Sequence, residues 1–314
     1  MQSTVPADPD AMTTTGEPTP LSRLAHSYAY GRLRRGELTT ASAQNILVSL
    51  TSLCAVHGRR PVRQLGPPTI DRWLESTTHL SPTTRRNHLS RVRKFCRWLI
   101  DTGAIRRDPT RHVPPIRPPR KDPIVLSAEQ VAALRTHVAH DLRAAVIVAL
   151  LWDGSLRCGE VAATRVDDLD PSSRVLHVHG GKGGNERRIV LDHATVDLIA
   201  RYMDAEGITR GSLLRSRNDP RQGLAPETIS NYARNWMYAA GVKIRAFDGR
   251  SAHGLRRTGA TELMEATDSL VTVQAHLGHQ RPETTVKHYL APVSMAKLRA
   301  AADARHATRR DEAA

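Results

Sequence analysis

Apolar residues recur at helical spacing through most of the chain, and the interruptions divide it into two parts. In SPTTRRNHLSRVRKFCRWLIDTG, residues Leu89, Val92, Cys96 and Leu99 fall on one helical face. Ser81 can cap the first turn, Pro82 suits the first helical position and Gly103 supplies a stop, which predicts a helix across this stretch. Arg86, Arg93 and Arg97, with Lys94 nearby, line a different and basic face. Further helices are predicted over about 19–34, 40–57 and 68–76. Six prolines then crowd the stretch PTRHVPPIRPPRKDP, from Pro109 to Pro123. That composition cannot be helical and favours extended polyproline backbone, which predicts a linker with a reach on the order of 45 Å.

Beyond the prolines, Ser127 followed by Gln130 is a capping-box pattern that starts a helix. The continuous apolar run AAVIVALLWDG predicts a buried helix that positions the polar residues just after it. RVLHVHGGKGGNERRIVL alternates on either side of a Gly-rich turn, as two short strands joined by a loop would. PETISNYARNWMYAAGV places Ile229, Ala233, Trp236, Met237 and Ala240 on one helical face and ends at Gly241. The expected fold is mainly α, a helical first part followed by an α-rich second part with a small antiparallel β-sheet.

Composition narrows the class. A chain of 314 residues with 39% hydrophobic content can form two domains, each with its own core. Cys54, Cys96 and Cys158 are widely separated and odd in number, which argues against a disulfide framework and a zinc site and favours a reducing cytoplasm. No apolar run is long enough to span a membrane, and the first residues lack the pattern of a signal peptide. The net charge of +15 is uneven: residues 18–121 carry 20 Lys and Arg against 5 Asp and Glu. A surface so basic expects a polyanion, and nucleic acid leads because neutralising many phosphates releases many counterions.

The chemistry-bearing residues are dispersed through the second part: Arg157, Lys182, His253, Arg256, His279 and Tyr289. Guanidinium, ammonium and imidazole groups can surround one phosphoryl group, and a tyrosine hydroxyl can attack it, the equipment for phosphoryl transfer without a metal. His253 and Arg256 are three apart in SAHGLRRTGATELM and share a helical face, whereas Arg257 lies about 100° further round. Glu160, three residues after Arg157, can orient that arginine or hold a neighbouring histidine. Gly278 can end a helix and turn His279 inward, while His276 packs or faces solvent.

The blocks DGSLRCGEV, GGKGGNERR, HGLRRT and LGHQRPETTVKHY, in this order, resemble the tyrosine recombinases, the family of phage integrases and Xer recombinases. The resemblance runs from about residue 150 to Tyr289. It implies that Tyr289 attacks a DNA phosphate to form a 3′-phosphotyrosyl bond and that a 5′-hydroxyl is released, with no ATP and no cofactor. Arg157 and Arg256 would clamp the phosphate, Lys182 would protonate the leaving 5′-oxygen, His253 would act as a base or donor, and His279 would hydrogen-bond the phosphate. Asn185 stands where many relatives have a second lysine, which leaves Lys182 as the lysine of that loop.

The domain plan implied is a disordered leader over 1–17, a four-helix core-type DNA-binding domain over 18–108, a basic linker over 109–123, a catalytic domain over 124–292 and a subunit-docking tail over 293–314. Arg86, Arg93, Lys94, Arg97, Arg120 and Lys121 are the expected DNA contacts, the linker letting the two domains close around a duplex. So short a leader leaves no room for a separate arm-binding domain. The implied partners are double-stranded attachment-site DNA in a bacterial cytoplasm, three further copies in a tetramer, and an accessory directionality factor. Two alternatives stay open: a type IB topoisomerase, which shares the tyrosine attack, and a DNA-binding protein that keeps the fold without catalysis. The terminal Ala313 and Ala314 resemble a bacterial degradation tag.

Overall fold

A computed structural model describes residues 20–119, 124–180 and 186–278. The chain divides into two compact units, residues 1–121 and 122–314. In the first, helices α1 (Pro20–Arg34), α2 (Thr40–His57), α3 (Pro67–Ser76) and α4 (Pro82–Asp101) enclose one core. α4 follows its sequence pattern closely. Ser81 accepts a hydrogen bond from the Thr84 N–H at 3.2 Å, Pro82 opens the first turn, and Gly103 leaves the helix with φ of 75°. Leu89, Val92, Cys96 and Leu99 are all buried, as their spacing requires. Tyr28, Phe95 and Trp98 pack ring on ring, and the buried Trp73 donates its indole N–H to Ser52 Oγ at 2.9 Å, so its one polar atom is satisfied.

The start of the proline-rich stretch packs onto this unit. Asp108 Oδ1 accepts from the N–H and hydroxyl of Thr110, which turns the chain back, Val113 is buried in the core and Ile116 packs against it. Proline excludes helix here but does not force extension, and two apolar side chains are enough to hold the segment down.

The second unit is organised around α6 (Leu142–Trp152), whose Val146, Ile147, Val148, Leu150 and Leu151 are almost completely buried. α5 (Ala128–Val138) begins with the reciprocal Ser127 and Gln130 capping box. α7 (Cys158–Ala163) leads to a three-stranded antiparallel sheet, β1 (Leu169–Asp170), β2 (Val175–Val178) and β3 (Arg187–Val190), in that spatial order. The β2–β3 register pairs Leu176 with Ile189 and Val178 with Arg187, with Leu176, Val178 and Ile189 facing the core. α8 (His193–Glu206), α9 (Pro226–Ala239), α10 (Ala252–Thr267) and α11 (Leu270–Leu277) complete the described part. On α9, Ile229, Ala233 and Met237 are buried, with Trp236 and Ala240 at the margin.

α10 lies directly against the C-terminal end of α6. Gly259 makes this contact, because a Cβ there would stand 1.8 Å from the Trp152 carbonyl oxygen. Only a residue without a side chain lets the two backbones meet. Among the described residues no helix is long and apolar enough to cross a membrane.

Candidate active site

The loop after α6 makes a tight turn. Ser155 is fully buried with φ of 47°, a conformation costly for a residue with a side chain, and its carbonyl accepts from Arg256 Nη1. Two residues later Arg157 caps α7, its own N–H donating to Glu160 Oε2 at 2.8 Å and its Nη1 to Glu160 Oε1 at 2.8 Å. Glu160 therefore orients Arg157, one of the two roles its position left open.

Glu160 does more than that. Arg187, at the start of β3, donates Nη1 to Oε1 at 2.9 Å and Nη2 to Oε2 at 3.0 Å, a bidentate pair, and Arg256 Nη1 reaches Oε2 at 3.2 Å. One buried carboxylate thus binds three arginines from three separate chain segments. Burial alone would raise its pKa, but the hydrogen bonds from Arg187 and the Arg157 N–H, with the charges of Arg187 and Arg256, outweigh it and hold Glu160 at about 2. Three guanidiniums against one carboxylate leave a net positive cluster suited to an anion.

The cluster also fixes the end of α11. Arg256 Nη2 donates to the Leu277 carbonyl at 3.0 Å, and Arg187 Nε to the His276 carbonyl at 2.6 Å. Gly278 then turns the chain with φ of 65°, so close to Arg187 that a Cβ would stand 2.8 Å from Arg187 Cδ. His276 packs rather than facing open solvent. Burial first, then the charges of Arg187 and Arg256, lower its pKa from the ordinary 6.5 to about 4.

The structure therefore brings Arg157, Glu160 and Arg256 together. Arg157 is 48% exposed and Arg256 only 1%, so Arg157 offers its face to solvent while Arg256 acts from beneath. His253 is exposed in the first turn of α10. Arg257 turns away to the Ile124 carbonyl at 3.2 Å. Lys182, His279 and Tyr289 lie outside the described residues, as do Arg120 and Lys121. On α4, Arg86, Lys94 and Arg97 are exposed, but Arg93 is half-buried and its Nη2 donates to the Val113 carbonyl.

Two features escaped the sequence reading. Arg187 sits in the segment Glu186-Arg187-Arg188, where strand alternation says only which face it takes. His179, just after β2, donates its Nε2–H to Asp168 Oδ1 at 2.7 Å and lies 3.5 Å from Glu186 Oε1 across the hairpin. The Asp168 hydrogen bond raises the His179 pKa.

Fold and cluster define a class: a mainly helical, two-unit protein with a buried arginine cluster, positively charged overall, in its second unit. Residues 125–294 match the family model described as the phage integrase family, more than half of the chain, and the chain belongs to that family. It is 28% identical over 236 residues to tyrosine recombinase XerC of Pelobacter propionicus, covering 73% of this chain and 75% of that protein. It is 28% identical over 288 residues to tyrosine recombinase XerC of Xanthomonas campestris pv. campestris, covering 89% and 87%. A lambda integrase tetramer bound to a Holliday junction has the same fold, with a TM-score of 0.72 at 16% identity over 88% of this chain and 80% of that one.

Proposed function

We propose that this chain is a site-specific DNA recombinase that cuts and rejoins DNA through a tyrosine-linked intermediate. The observation that carries the reading is the gathering of Arg157 and Arg256, 99 positions apart, on the single carboxylate of Glu160. Arg157 binds the non-bridging oxygens of the scissile phosphate through its exposed face, and Arg256 adds charge from below. Tyr289 Oη attacks phosphorus and the bond from phosphorus to the 5′-oxygen breaks. Lys182 supplies the proton that the leaving oxygen takes up. His253 accepts the tyrosine proton or donates to the phosphate, and His279 hydrogen-bonds the phosphate. A 5′-hydroxyl from a second strand reverses the step, so bond energy is conserved and no nucleotide is consumed.

The substrate is double-stranded attachment-site DNA, held also by the exposed Arg86, Lys94 and Arg97. The tetramer of lambda integrase supports four copies on two duplexes as the working assembly, with the tail beyond residue 292 joining neighbours. Integration of a phage genome is the specific role, with an accessory factor setting direction. A nicked suicide substrate tests the chemistry: the wild-type chain becomes covalently attached to the 3′ end, and Tyr289→Phe binds DNA without attachment. Recovery of the adduct from Tyr289→Phe would overturn the assignment.

A further inference from the structure

The loop between α9 and α10 is built to hold an aromatic ring in water. The chain has two phenylalanines. Phe95 is fully buried in the first unit, whereas Phe247 is 100% exposed and takes a φ of 57°. A bulky residue in the left-handed region is strained, and an exposed ring forfeits its burial, so the fold works against this placement twice. It persists because hydrogen bonds on both sides of the tip fix the backbone there.

The support is Asp248, whose side chain is 2% exposed. Its carboxylate accepts from Lys243 Nζ, from the Arg250 N–H at 3.0 Å and from the Ile244 N–H at 3.2 Å, and so ties both feet of the turn together. Burial would raise this carboxyl, but the Lys243 hydrogen bond and the two N–H groups hold it well below the usual carboxylate range. Lys243 Nζ also donates to the Arg250 carbonyl at 3.0 Å. The tip left outside is Ile244, Arg245, Ala246 and Phe247, with Ile244 74% exposed. The base of the loop rests on the first turn of α10, where a Cβ at Gly254 would meet the Gly249 carbonyl at 3.2 Å. Phe247 is therefore carried on a loop whose base packs against the helical turn that holds His253, six residues on.

We infer that Phe247 is a wedge that inserts between base pairs of the bound duplex, with Ile244 packed against the sugar edge and Arg245 on the backbone. An apolar side chain projecting beside the exposed Arg245 suits a base step, which has both an anionic backbone and a hydrophobic face. The charge selects DNA over another copy of this chain. The loop's carboxylate is buried in its own support, so the tip presents only apolar and positive groups, and a second copy carries +15. The inference rests on the DNA-acting reading above and adds the contact that distorts the duplex.

The test uses binding, not cleavage, so that the two readings fail separately. The full chain is titrated against 40-base-pair duplexes of random sequence across a range of salt. Phe247→Ala is expected to weaken binding by about tenfold at every salt concentration with an unchanged slope, and Phe247→Trp to restore it. Arg245→Ala is expected to reduce the slope by about one phosphate contact. Permanganate, which oxidises unstacked thymine, is expected to mark the bound pool with the wild-type chain and not with Phe247→Ala. Unchanged affinity and unchanged permanganate reactivity in Phe247→Ala would overturn the wedge. So would a photo-crosslink from p-benzoylphenylalanine at position 247 to a second copy instead of to DNA. Absence of any DNA binding by the wild-type chain would sink the recombinase reading as well.

Discussion

Two residues of the arginine cluster titrate out of their usual range, and both shifts make the second unit acid-sensitive. His276 has a folded pKa of about 4 against an ordinary 6.5, so the fold favours its neutral form. The stability it contributes is fully present above about 6.5 and is lost as pH falls through 4. Glu160, at about 2 against an ordinary 4.5, contributes about 3 kcal/mol that is present above 4.5 and lost as pH falls towards 2. Calorimetry on the full chain should therefore show the second unit losing stability in two stages, between 6.5 and 4 and then below 4.5. His276→Gln should flatten the upper stage alone, and an unchanged profile in that variant would remove His276 from the account.

Among the elements, the contact between α6 and α10 is the least tolerant. Gly259→Ala places a Cβ inside the Trp152 carbonyl, so α10 must lift and take Arg256 from Glu160 and the Ser155 carbonyl. Overpacking usually costs about 1–3 kcal/mol, and a backbone obstacle that cannot rotate away should exceed that range. Urea unfolding should show the second unit melting early while the α1–α4 unit keeps its midpoint; normal stability would contradict the packing described. Much of the element scale was legible because it is local. The Ser127 and Gln130 cap, the Leu89 to Leu99 stripe and the hairpin around the Gly-rich turn are each written within a few residues. Arg187 and Phe247 were not legible for the same reason. Arg187 acquires its meaning from Glu160, 27 positions away, and the exposure of Phe247 from a carboxylate cage that no periodicity encodes.

For the molecule as a whole, the excess charge of residues 18–121 predicts DNA binding that weakens steeply with salt. Replacing Arg86, Lys94 and Arg97 together with alanine should lower the slope of log affinity against log salt by about 3. Arg93→Ala should leave that slope unchanged and instead loosen the stretch around Val113, whose carbonyl it holds. Measuring slope and thermal stability on the same two variants separates the roles, and a slope change in Arg93→Ala would return that residue to the DNA-facing set.

The three-way grip of Glu160 has a biological corollary. Its partners arrive from the start of α7, the start of β3 and the middle of α10, and two of them also bind the last carbonyls of α11. A nascent or partly unfolded chain possesses every one of these arginines and none of their arrangement. The anion-facing surface of Arg157 is thereby assembled only once all three segments have docked on one carboxylate.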